Sequence, residues 1–525
     1  MTVLITDPVD GQCIEILESE GFSVSYHPGA PAEKVLTLVR DADALIVRSQ
    51  TQVTAAVVDA GRNLKVVGRA GAGVDNIDVP AATRRGIIVM NTPGGNTIST
   101  AEHTLSMMLA LARNIPQADR SVRSGKWERG AFVGTELYGK ILGIVGLGRV
   151  GSEVARRAAS FGMAIVAYDP VQSAEAAAKL NARLVSLADL LRLSDIITVH
   201  TPLAPETKGI IGREALSKCK EGVRIINCAR GGIVDEAALL EALESGKAAG
   251  AALDVFEHEP PGTSGLLEHP HVVATPHLGA STEEAQEKVA IQIAHQVADS
   301  LKGRGTAGSV NADIISMALK PEIRPFLMIA EKLGRLLSQL KDGKLKSVTV
   351  SVTGDTLRDA ITALGAAVLR GAFEGVLDEP VNYLNAPLIA RERGISVRLL
   401  QESGLRIHSS ILTVAYQTEK EERTFSGTVF GDDDLRVVGI DGFHFEIRPE
   451  GHLLLYYNID RPGMLAAVSS ILARSGINIA GLSLGRFASG TRALTVVSID
   501  TPATGDVLNS ISLLEGVSAV KMVSF

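Results

Sequence analysis

Residues 141–170, with the sequence ILGIVGLGRVGSEVARRAASFGMAIVAYDP, decide the fold of this chain. The stretch opens with a short apolar run, which predicts a strand buried on both faces. Gly146, Gly148 and Gly151 follow in the pattern G-x-G-x-x-G, and apolar residues at helical spacing come next. A second strand-like run ends at Asp169, about twenty residues after the glycines, as in dinucleotide-binding units. The order of strand, glycines, helix, strand and acid predicts that this unit binds a dinucleotide.

Each glycine of this pattern has a separate physical role. The first allows a tight turn, the second lets the backbone approach a pyrophosphate, and the third lets the helix pack on the strand. A carboxylate at Asp169 can accept a hydrogen bond from a ribose hydroxyl and would repel a 2′-phosphate, which predicts NAD rather than NADP. Arg149 is either a phosphate contact or a solvated helix residue. The competing interpretation is a β-α-β unit with a glycine turn and no ligand.

The composition of the whole chain narrows the class of protein. Its 525 residues are enough for roughly three or four domains, and an apolar fraction of 46% is sufficient for packed cores. No apolar run is long enough to span a membrane, and a formal charge of −7 argues against nucleic-acid binding. Cys13, Cys219 and Cys228 are widely spaced, which predicts reduced thiols rather than disulfides or a metal site. The sequence starts with the strand-like TVLIT and no signal segment, and its thiols are predicted to be reduced, so we expect a cytoplasmic protein. The charge and the lack of a long apolar run lead us to expect no nucleic-acid or membrane partner.

Residues 1–95 alternate strand-like and helix-like segments, which predicts a parallel α/β unit separate from the glycine motif. The predicted strands are Val3–Ile5, Phe22–Tyr26, Ala44–Val47, Val66–Gly68 and Ile87–Met90. Arg48 and Arg69 fall at the ends of two of them, and ligands of parallel sheets gather at the carboxyl ends of strands. Either arginine alone is readily explained as a surface charge. Together, beside a glycine-rich loop, they predict a site for an anionic substrate.

The second half of the chain changes pattern twice. Strands and helices continue to alternate beyond the glycine motif, up to a long predicted helix at 282–301. A glycine-rich segment at 302–310 predicts a linker. Residues 311–449 then combine helices with hairpin-like runs and contain no evident catalytic constellation. Residues 450–525 follow the order β-α-β-β-α-β, which is the ferredoxin-like pattern.

Three polar residues follow different strands in the second half of the dinucleotide unit. Hydride transfer from an alcohol needs a base for the hydroxyl proton, a cation for the substrate's carboxylate or carbonyl, and a carboxylate to orient the base. His277, Arg230 and Glu259 supply this set. Each of them alone would be explained as a surface ion pair, but all three at strand ends beside a dinucleotide motif predict a dehydrogenase site.

The motifs around these residues resemble those of a known family. ARGGIVDE, DVFEHEP and PHLGAST are similar to the signatures of the D-isomer-specific 2-hydroxyacid dehydrogenases. The resemblance covers residues 1–302 and implies that Arg230, Glu259 and His277 are catalytic. With the glycines and Asp169 already named, it implies a complete NAD site made of Gly146, Gly148, Arg149, Val150, Gly151, Asp169, Thr201, Pro202, Cys228, Ala229, Asp254 and Gly279.

The remaining motifs narrow the resemblance to one branch of the family. The tail at 450–525 resembles an ACT domain, a small amino-acid-sensing module. Long members with an intervening domain and an ACT domain oxidise 3-phospho-D-glycerate to 3-phosphohydroxypyruvate, the first step of L-serine biosynthesis, and the resemblance implies this substrate here. The segments VRSQT, GRAGAGVDNID and NTPGGNT are similar to substrate-side motifs of that branch. They imply contacts to the substrate from Arg48, Ser49, Arg69, Gly71 and Asn96.

The resemblance also implies a fold class and a domain order. It implies an α/β protein with a Rossmann-type NAD domain and a flavodoxin-like substrate domain, followed by an α+β intervening domain and a ferredoxin-like ACT domain. The expected domains are a substrate-binding domain of 1–95 with 285–302, an NAD-binding domain of 96–284, an intervening, allosteric substrate-binding-like domain of 303–449 and an ACT domain of 450–525.

Regulation by an amino acid is a further implication of the ACT-like tail. The resemblance implies L-serine as an effector, with Asp460 and Asn478 as its contacts between two copies of a homodimer or homotetramer. The chain departs from the family pattern at Ala72, where threonine is frequent, and at Asn458, where ACT modules can have tyrosine.

Two other functions are compatible with the motifs. One is a D-2-hydroxyacid dehydrogenase of the glyoxylate or hydroxypyruvate type, which would need neither the two arginines together nor an amino-acid-sensing tail. The other is an NAD(H)-sensing, corepressor-like binding protein, against which the acidic charge and the ACT-like tail argue.

Overall fold

The computed structural model describes residues 1–312, 320–377, 380–402, 410–487 and 491–525. Within these residues the strands form four sheets, each with its own helices. We refer to the sheets and their helices as the first, second, third and fourth units, in chain order. Among the described residues, no helix combines the length and the apolar character needed to cross a membrane.

The first unit is a five-stranded parallel sheet with the order β2-β1-β3-β4-β5, which is the flavodoxin-like order. Its strands are β1 (Thr2–Ile5), β2 (Ser23–Tyr26), β3 (Ala44–Val47), β4 (Val66–Arg69) and β5 (Ile88–Asn91). Its helices are α1 (Gly11–Ser19), α2 (Ala32–Leu38), α3 (Ala55–Ala60) and α4 (Val79–Arg84), with a 3₁₀ turn at Val39–Asp41. Each strand begins and ends within one residue of its predicted bounds, because short apolar runs between turn residues mark buried strands clearly.

The second unit is a seven-stranded parallel sheet with the order β12-β11-β10-β9-β6-β7-β8, so strand order reverses beside β6 as in Rossmann folds. Its strands are β6 (Ile141–Val145), β7 (Ala164–Tyr168), β8 (Ala182–Leu184), β9 (Ile196–Val199), β10 (Val223–Asn227), β11 (Ala248–Leu253) and β12 (Val272–Ala274). Its helices are α5 (Thr97–Ala112), α6 (Ile115–Arg123), α7 (Arg149–Ser160), α8 (Ala174–Ala178), α9 (Leu187–Leu193), α10 (Arg213–Lys218), α11 (Glu236–Glu244) and α12 (Gly265–Glu268), with a 3₁₀ turn at Arg129–Phe132. The sequence pattern does not predict β8, since this short edge strand contains no apolar run.

Helix α13 (Glu283–Leu301) carries the chain from the second unit back to the first. Its Ile293 and Val297 lie against β4 at Gly68, where an added Cβ would come within 2.9 and 2.8 Å of these side chains. The segment that follows is not a free linker. Val310 donates its N–H to the Val89 carbonyl (2.7 Å), and Asn311 Oδ1 accepts the Val89 N–H (2.9 Å). The glycine-rich segment therefore lies close against β5 and also connects the first unit to the third.

The third unit is a mixed sheet with the order β14-β13-β15-β16-β17-β18, in which only β13 and β14 pair in parallel. Its strands are β13 (Leu345–Thr353), β14 (Ser396–Glu402), β15 (Ile411–Thr418), β16 (Glu422–Phe430), β17 (Asp434–Ile440) and β18 (Phe443–Ile447). Its helices among the described residues are α14 (Arg324–Leu340), α15 (Asp355–Arg358), α16 (Ile361–Phe373) and α17 (Ala386–Glu392). The predicted hairpin is formed by β15 and β16.

The fourth unit has the antiparallel order β20-β21-β19-β22, as the ferredoxin-like pattern predicts. Its strands are β19 (His452–Ile459), β20 (Ile479–Arg486), β21 (Arg492–Ile499) and β22 (Val517–Ser524), and its helices are α18 (Met464–Arg474) and α19 (Gly505–Ser512). One face of the sheet packs on these helices.

The opposite face of the fourth sheet belongs to the core of the third unit. Leu455, Leu494 and Val523 are buried in the same apolar cluster as α14 and β13. A buried polar contact crosses this boundary as well: Arg423 of β16 donates to Asp441 Oδ2 (2.9 Å) and to the hydroxyl of Tyr457 in β19. The third and fourth units therefore share one core.

The crossing of α14 and α16 provides a test of this packing. Gly334 lies against the neighbouring backbone, and a Cβ there would stand 2.1 Å from the Val368 carbonyl oxygen. We expect Gly334→Ala to lower the free energy of unfolding by about 1–3 kcal/mol, because the helices must separate. Gly505, at the start of α19, has no atom within 4 Å of an added Cβ. Gly505→Ala should leave the denaturant midpoint almost unchanged, and equal midpoints for the two variants would contradict this account.

Candidate active site

A cleft separates the first and second units, and the carboxyl ends of both parallel sheets open onto it. Cavities of about 720, 490 and 360 Å³ lie along the cleft, and His277 lines all three. This arrangement follows from topology, since parallel strands bring their carboxyl ends to one edge. The candidate residues, which are far apart in sequence, therefore meet at His277.

His277 and Glu259 form a close pair in the cleft. His277 Nδ1 lies 2.7 Å from Glu259 Oε2, and Glu259 Oε1 accepts the backbone N–H of Phe256 (3.2 Å). Burial works to raise the pKa of Glu259, but the hydrogen bond and charge of His277 outweigh it, so this pKa lies below its usual value. With Glu259 ionised, Nδ1 is the donor, which leaves Nε2 to face the cleft as the proton acceptor.

The loop that carries His277 is held by Asp254. His277 adopts a left-handed backbone conformation with φ of 56°, which is uncommon outside glycine. Asp254 Oδ1 accepts the Leu278 N–H (2.7 Å) and the Thr275 hydroxyl (2.6 Å), and Oδ2 accepts the Gly279 N–H (2.8 Å). These bonds offset the cost of the backbone conformation at His277.

Asp254 is fully buried and does not line the cavity of about 490 Å³, although the family resemblance implies a cofactor contact. Its carboxylate is saturated by its own loop and by His103, whose Nε2 lies 3.1 Å from Oδ1. Burial would raise the pKa of Asp254, but hydrogen bonds from His103, Thr275 and Leu278 hold it below its usual value. Nothing in the helical pattern of α5 distinguishes His103 from a surface histidine, so the sequence does not indicate this contact.

Arg230 reaches across the cleft to the first unit. Its Nε donates to Asp75 Oδ2 (2.8 Å), and its Nη1 donates to the Ala229 carbonyl (2.6 Å). The sequence does not indicate a role for Asp75, although this residue lies within the segment GRAGAGVDNID. No other side-chain hydrogen bond from Arg230 to a described residue is present, so its remaining N–H groups are available for a ligand.

All five predicted substrate contacts line the cavity of about 720 Å³. They are Arg48, Ser49, Arg69, Gly71 and Asn96. The Nε of Arg69 is buried and has no hydrogen-bond partner among the described residues. Burial and then the charge of Arg230 lower the pKa of Arg69 to about 10. A buried, unpaired guanidinium nitrogen with other cations nearby fits an anionic ligand.

The glycine turn after β6 has the geometry that its spacing predicts. Gly146 has a φ of 94°, and a Cβ on Gly151 would stand 2.1 Å from the Gly146 carbonyl oxygen. In contrast, a Cβ on Gly148 would meet nothing within 4 Å. The space beside Gly148, at the N-terminus of the twelve-residue helix α7, fits the pyrophosphate of a dinucleotide.

The cavity of about 490 Å³ fits the rest of the cofactor. Six predicted cofactor contacts line it: Val150, Thr201, Pro202, Cys228, Ala229 and Gly279. The hydroxyl of Thr201 is buried without a hydrogen-bond partner among the described residues, so it is free to bind a ligand. Burial lowers the pKa of the neighbouring His200 to about 4, so this wall of the cavity is neutral.

Asp169 and Arg149 flank the glycine turn. Asp169 Oδ2 accepts the Leu147 N–H (2.8 Å), and Oδ1 accepts the Val171 N–H (2.8 Å). Arg149 Nη1 donates to the Pro93 carbonyl (2.9 Å) of the segment that joins the two units. Neither side chain lines the 490 Å³ cavity, and the contact to Pro93 distinguishes Arg149 from a freely solvated residue.

The predicted effector residues lie at opposite ends of the fourth sheet. Strands β19 and β20 are both antiparallel to β21, so they run in the same direction. Asp460 follows the end of β19 and pairs with Arg486 (3.1 Å), whereas Asn478 precedes β20 and donates to Asp500 (2.8 Å). Because these two residues of one chain lie at opposite ends of the sheet, a small ligand could contact an Asp460 and an Asn478 together only between two copies of the chain.

The geometry of the cleft defines an NAD-dependent dehydrogenase. The model described as the D-isomer specific 2-hydroxyacid dehydrogenase NAD-binding domain matches residues 105–279. The D-3-phosphoglycerate dehydrogenase intervening domain matches 322–441, and the ACT domain matches 452–512. Within the described residues, no cluster of His, Cys, Asp or Glu side chains is suited to hold a metal ion.

Full-length relatives identify the branch of the family. The chain is 43% identical to the D-3-phosphoglycerate dehydrogenase of Archaeoglobus fulgidus over 98% of both chains. It is 42% identical to the enzymes of that name from Bacillus subtilis, over 99% of both chains, and from Rattus norvegicus, over 93% of both. The chain belongs to the D-3-phosphoglycerate dehydrogenase family and is an NAD-dependent oxidoreductase.

Solved structures match the first two units. The TT0316 protein of Thermus thermophilus is 37% identical with a TM-score of 0.55, covering 59% of this chain and 100% of its own. A glyoxylate reductase from Paecilomyes thermophila is 32% identical with a TM-score of 0.54, covering 59% of this chain and 98% of its own. The predicted fold class is confirmed, and the enzyme names of the full-length relatives favour a dehydrogenase over a corepressor-like binding protein.

Two glycine substitutions separate cofactor binding from folding. Gly148→Ala should leave the unfolding midpoint unchanged and weaken NAD binding roughly tenfold or more, because its Cβ fills only the pyrophosphate space. Gly151→Ala should instead lower the free energy of unfolding by about 1–3 kcal/mol, because its Cβ meets the Gly146 carbonyl. Calorimetric NAD titration and denaturant unfolding of both variants measure the two effects. Normal NAD affinity in Gly148→Ala would contradict the proposed pyrophosphate position.

Proposed function

We propose that this chain oxidises 3-phospho-D-glycerate to 3-phosphohydroxypyruvate with NAD, the first step of L-serine biosynthesis. The observation that carries the proposal is one cleft that is lined both by the His277–Glu259 pair and by Arg69, whose buried Nε has no hydrogen-bond partner in the part of the chain that the structure describes. The name of the full-length relatives supports the same substrate. A glyoxylate-type dehydrogenase has no evident use for a buried guanidinium in this position.

The proton of the substrate hydroxyl is taken by His277 in this proposal. Nδ1 is committed to Glu259, so Nε2 accepts the proton, and the resulting imidazolium is stabilised by the adjacent carboxylate. Because its pKa is lowered, Glu259 stays ionised at neutral pH and does not compete for that proton. When bound, NAD⁺ supplies the hydride acceptor.

Two groups of cations bind the ends of the substrate. The free hydrogens of Arg230 hold the carboxylate beside the reacting carbon, while Arg69 and Arg48 bind the phosphate, with Ser49, Gly71 and Asn96 around it. We assign residues 1–95 with 285–302 as the substrate-binding domain and 96–284 as the NAD-binding domain. Asp169 selects NAD over NADP through the ribose and charge arguments given above. The three buried free cysteines support a cytoplasmic location.

The catalytic assignment predicts a large loss of turnover on substitution of the base. With 3-phospho-D-glycerate and NAD, His277→Ala should lower kcat by roughly a hundredfold or more, the usual scale for removing a general base. The KM for the substrate should change much less, since the arginines remain. His271→Ala, at an exposed histidine directly before β12, is the matched control and should keep normal turnover. Near-normal kcat in His277→Ala would exclude this assignment, and an inactive unaltered protein would exclude the proposed substrate.

We further propose that L-serine binds between two ACT domains of residues 450–525, in a homodimer or homotetramer. Asp460 would meet the effector's ammonium group, and Asn478 of the other copy would bind its carboxylate or side chain. The opposite placement of these residues in one chain supports a site shared by two copies. Such a ligand alters activity only if it binds one conformation better than another.

The effector proposal predicts a specific loss of serine binding. Calorimetry should detect L-serine binding to the intact protein, and Asp460→Ala should abolish it while kcat without serine stays normal. Glu419→Ala, in the exposed turn between β15 and β16, should bind serine like the unaltered protein. An intact protein that shows no heat of serine binding would leave the ACT domains with an assembly role alone.

A further inference from the structure

Two consecutive residues of the first unit, Asp75 and Asn76, hold the two parts of the proposed substrate site that carry Arg230 and Arg48. Asp75 contacts Arg230, which belongs to the second unit, and Asn76 contacts the loop that carries Arg48. The turn that contains them follows β4 and Arg69. The cations proposed for the substrate's carboxylate and phosphate are thus attached to adjacent positions of one backbone segment.

Asp75 fixes the orientation of Arg230. The bond from Nε to Asp75 Oδ2 (2.8 Å) and the bond from Nη1 to the Ala229 carbonyl (2.6 Å) hold two edges of the planar guanidinium. Its Nη2 packs over the same turn, since a Cβ on Gly73 would come within 1.9 Å of it. With two edges fixed, the free N–H groups point in one direction, as bidentate binding of a carboxylate requires.

Asn76 fixes the backbone of the Arg48 loop. Its Nδ2 donates to the Arg48 carbonyl (2.8 Å) and to the Thr51 carbonyl (2.7 Å). On the other side of the loop, the fully buried Asp7 accepts the N–H groups of Arg48 (2.6 Å) and Thr51 (3.1 Å). Residues 48–51 are therefore held from two sides. The side-chain bonds from Asn76, together with the backbone bonds of Val53 to Asn76 and Asp78, connect this loop to the turn that holds Arg230.

We propose that Asp75 and Asn76 are positioning residues that set the separation between Arg230 and Arg48. In this way they select a hydroxyacid whose carboxylate and phosphate are as far apart as those of phosphoglycerate. The inference rests on the proposed function and adds a determinant of specificity to it. Neither residue needs to touch the substrate. Asp75 positions the arginine that binds the carboxylate, so its loss affects substrates with and without a phosphate. Asn76 positions the arginine that binds the phosphate, so its loss affects the phosphorylated substrate.

The test compares two reductions by NADH, of 3-phosphohydroxypyruvate and of hydroxypyruvate, which lacks the phosphate. Asn76→Ala should raise KM for the phosphorylated substrate about tenfold, with kcat within about threefold and little change for hydroxypyruvate, because one charged contact is misplaced. Asn76→Asp, which keeps the size but loses the donated hydrogens, should act in the same direction. Asp75→Ala should lower kcat/KM for both substrates by a similar factor of about ten or more, and Asp75→Asn should recover part of it.

Asp78 supplies the matched control in the same turn. Its carboxylate accepts the Ala81 N–H (2.9 Å) at the start of α4, a role that asparagine also fills. Asp78→Asn should therefore keep both KM values. An equal rise of KM for both substrates in Asn76→Ala and Asn76→Asp, or unchanged kinetics in Asp75→Ala, would overturn the inference. If the unaltered protein did not prefer the phosphorylated substrate, the proposed function itself would fail.

Discussion

The hydrogen bonds accepted by Asp254 are the interaction on which the site depends. Without them, the residue that carries the imidazole would have to hold a left-handed backbone conformation unaided. The carboxylate is buried at the carboxyl end of β11, so its position is set by the sheet rather than by the loop. In this way the rigid parallel sheet determines where the His277 side chain stands. Helix α5 adds His103 to the same network, which connects the loop to the segment that joins the first two units.

The sequence predicted the parts of the structure that depend on local pattern. Buried parallel strands are short apolar runs, and the residues directly after them lie at one edge, so Arg48, Arg69 and His277 could be placed in one cleft. The glycine turn was predictable for the same reason, because the conformations at Gly146 and Gly151 follow from the motif. The ferredoxin-like order of the fourth unit followed from the alternation of its elements.

Features that depend on contacts between distant segments could not be predicted. The Asp75–Arg230 ion pair joins two units, and no periodicity in either segment indicates it. Asp254 appears in a family motif as a cofactor contact, whereas its burial and saturated carboxylate are visible only in three dimensions. The packing of Val310 and Asn311 on β5 is a further example, since glycine-rich composition alone predicts a free linker.

The shared core of the third and fourth units has a consequence for how this chain can be rearranged. A detached ACT module would expose Leu455, Leu494 and Val523 to water and would leave the Arg423 guanidinium without the Tyr457 hydroxyl. Recombination at the boundary near residue 450 would therefore generate poorly folded fragments that aggregate through their exposed apolar surface. An exchange at the segment after α13 would instead keep this core whole. The two C-terminal units are one structural unit in this architecture, and they should be gained, lost or transplanted together.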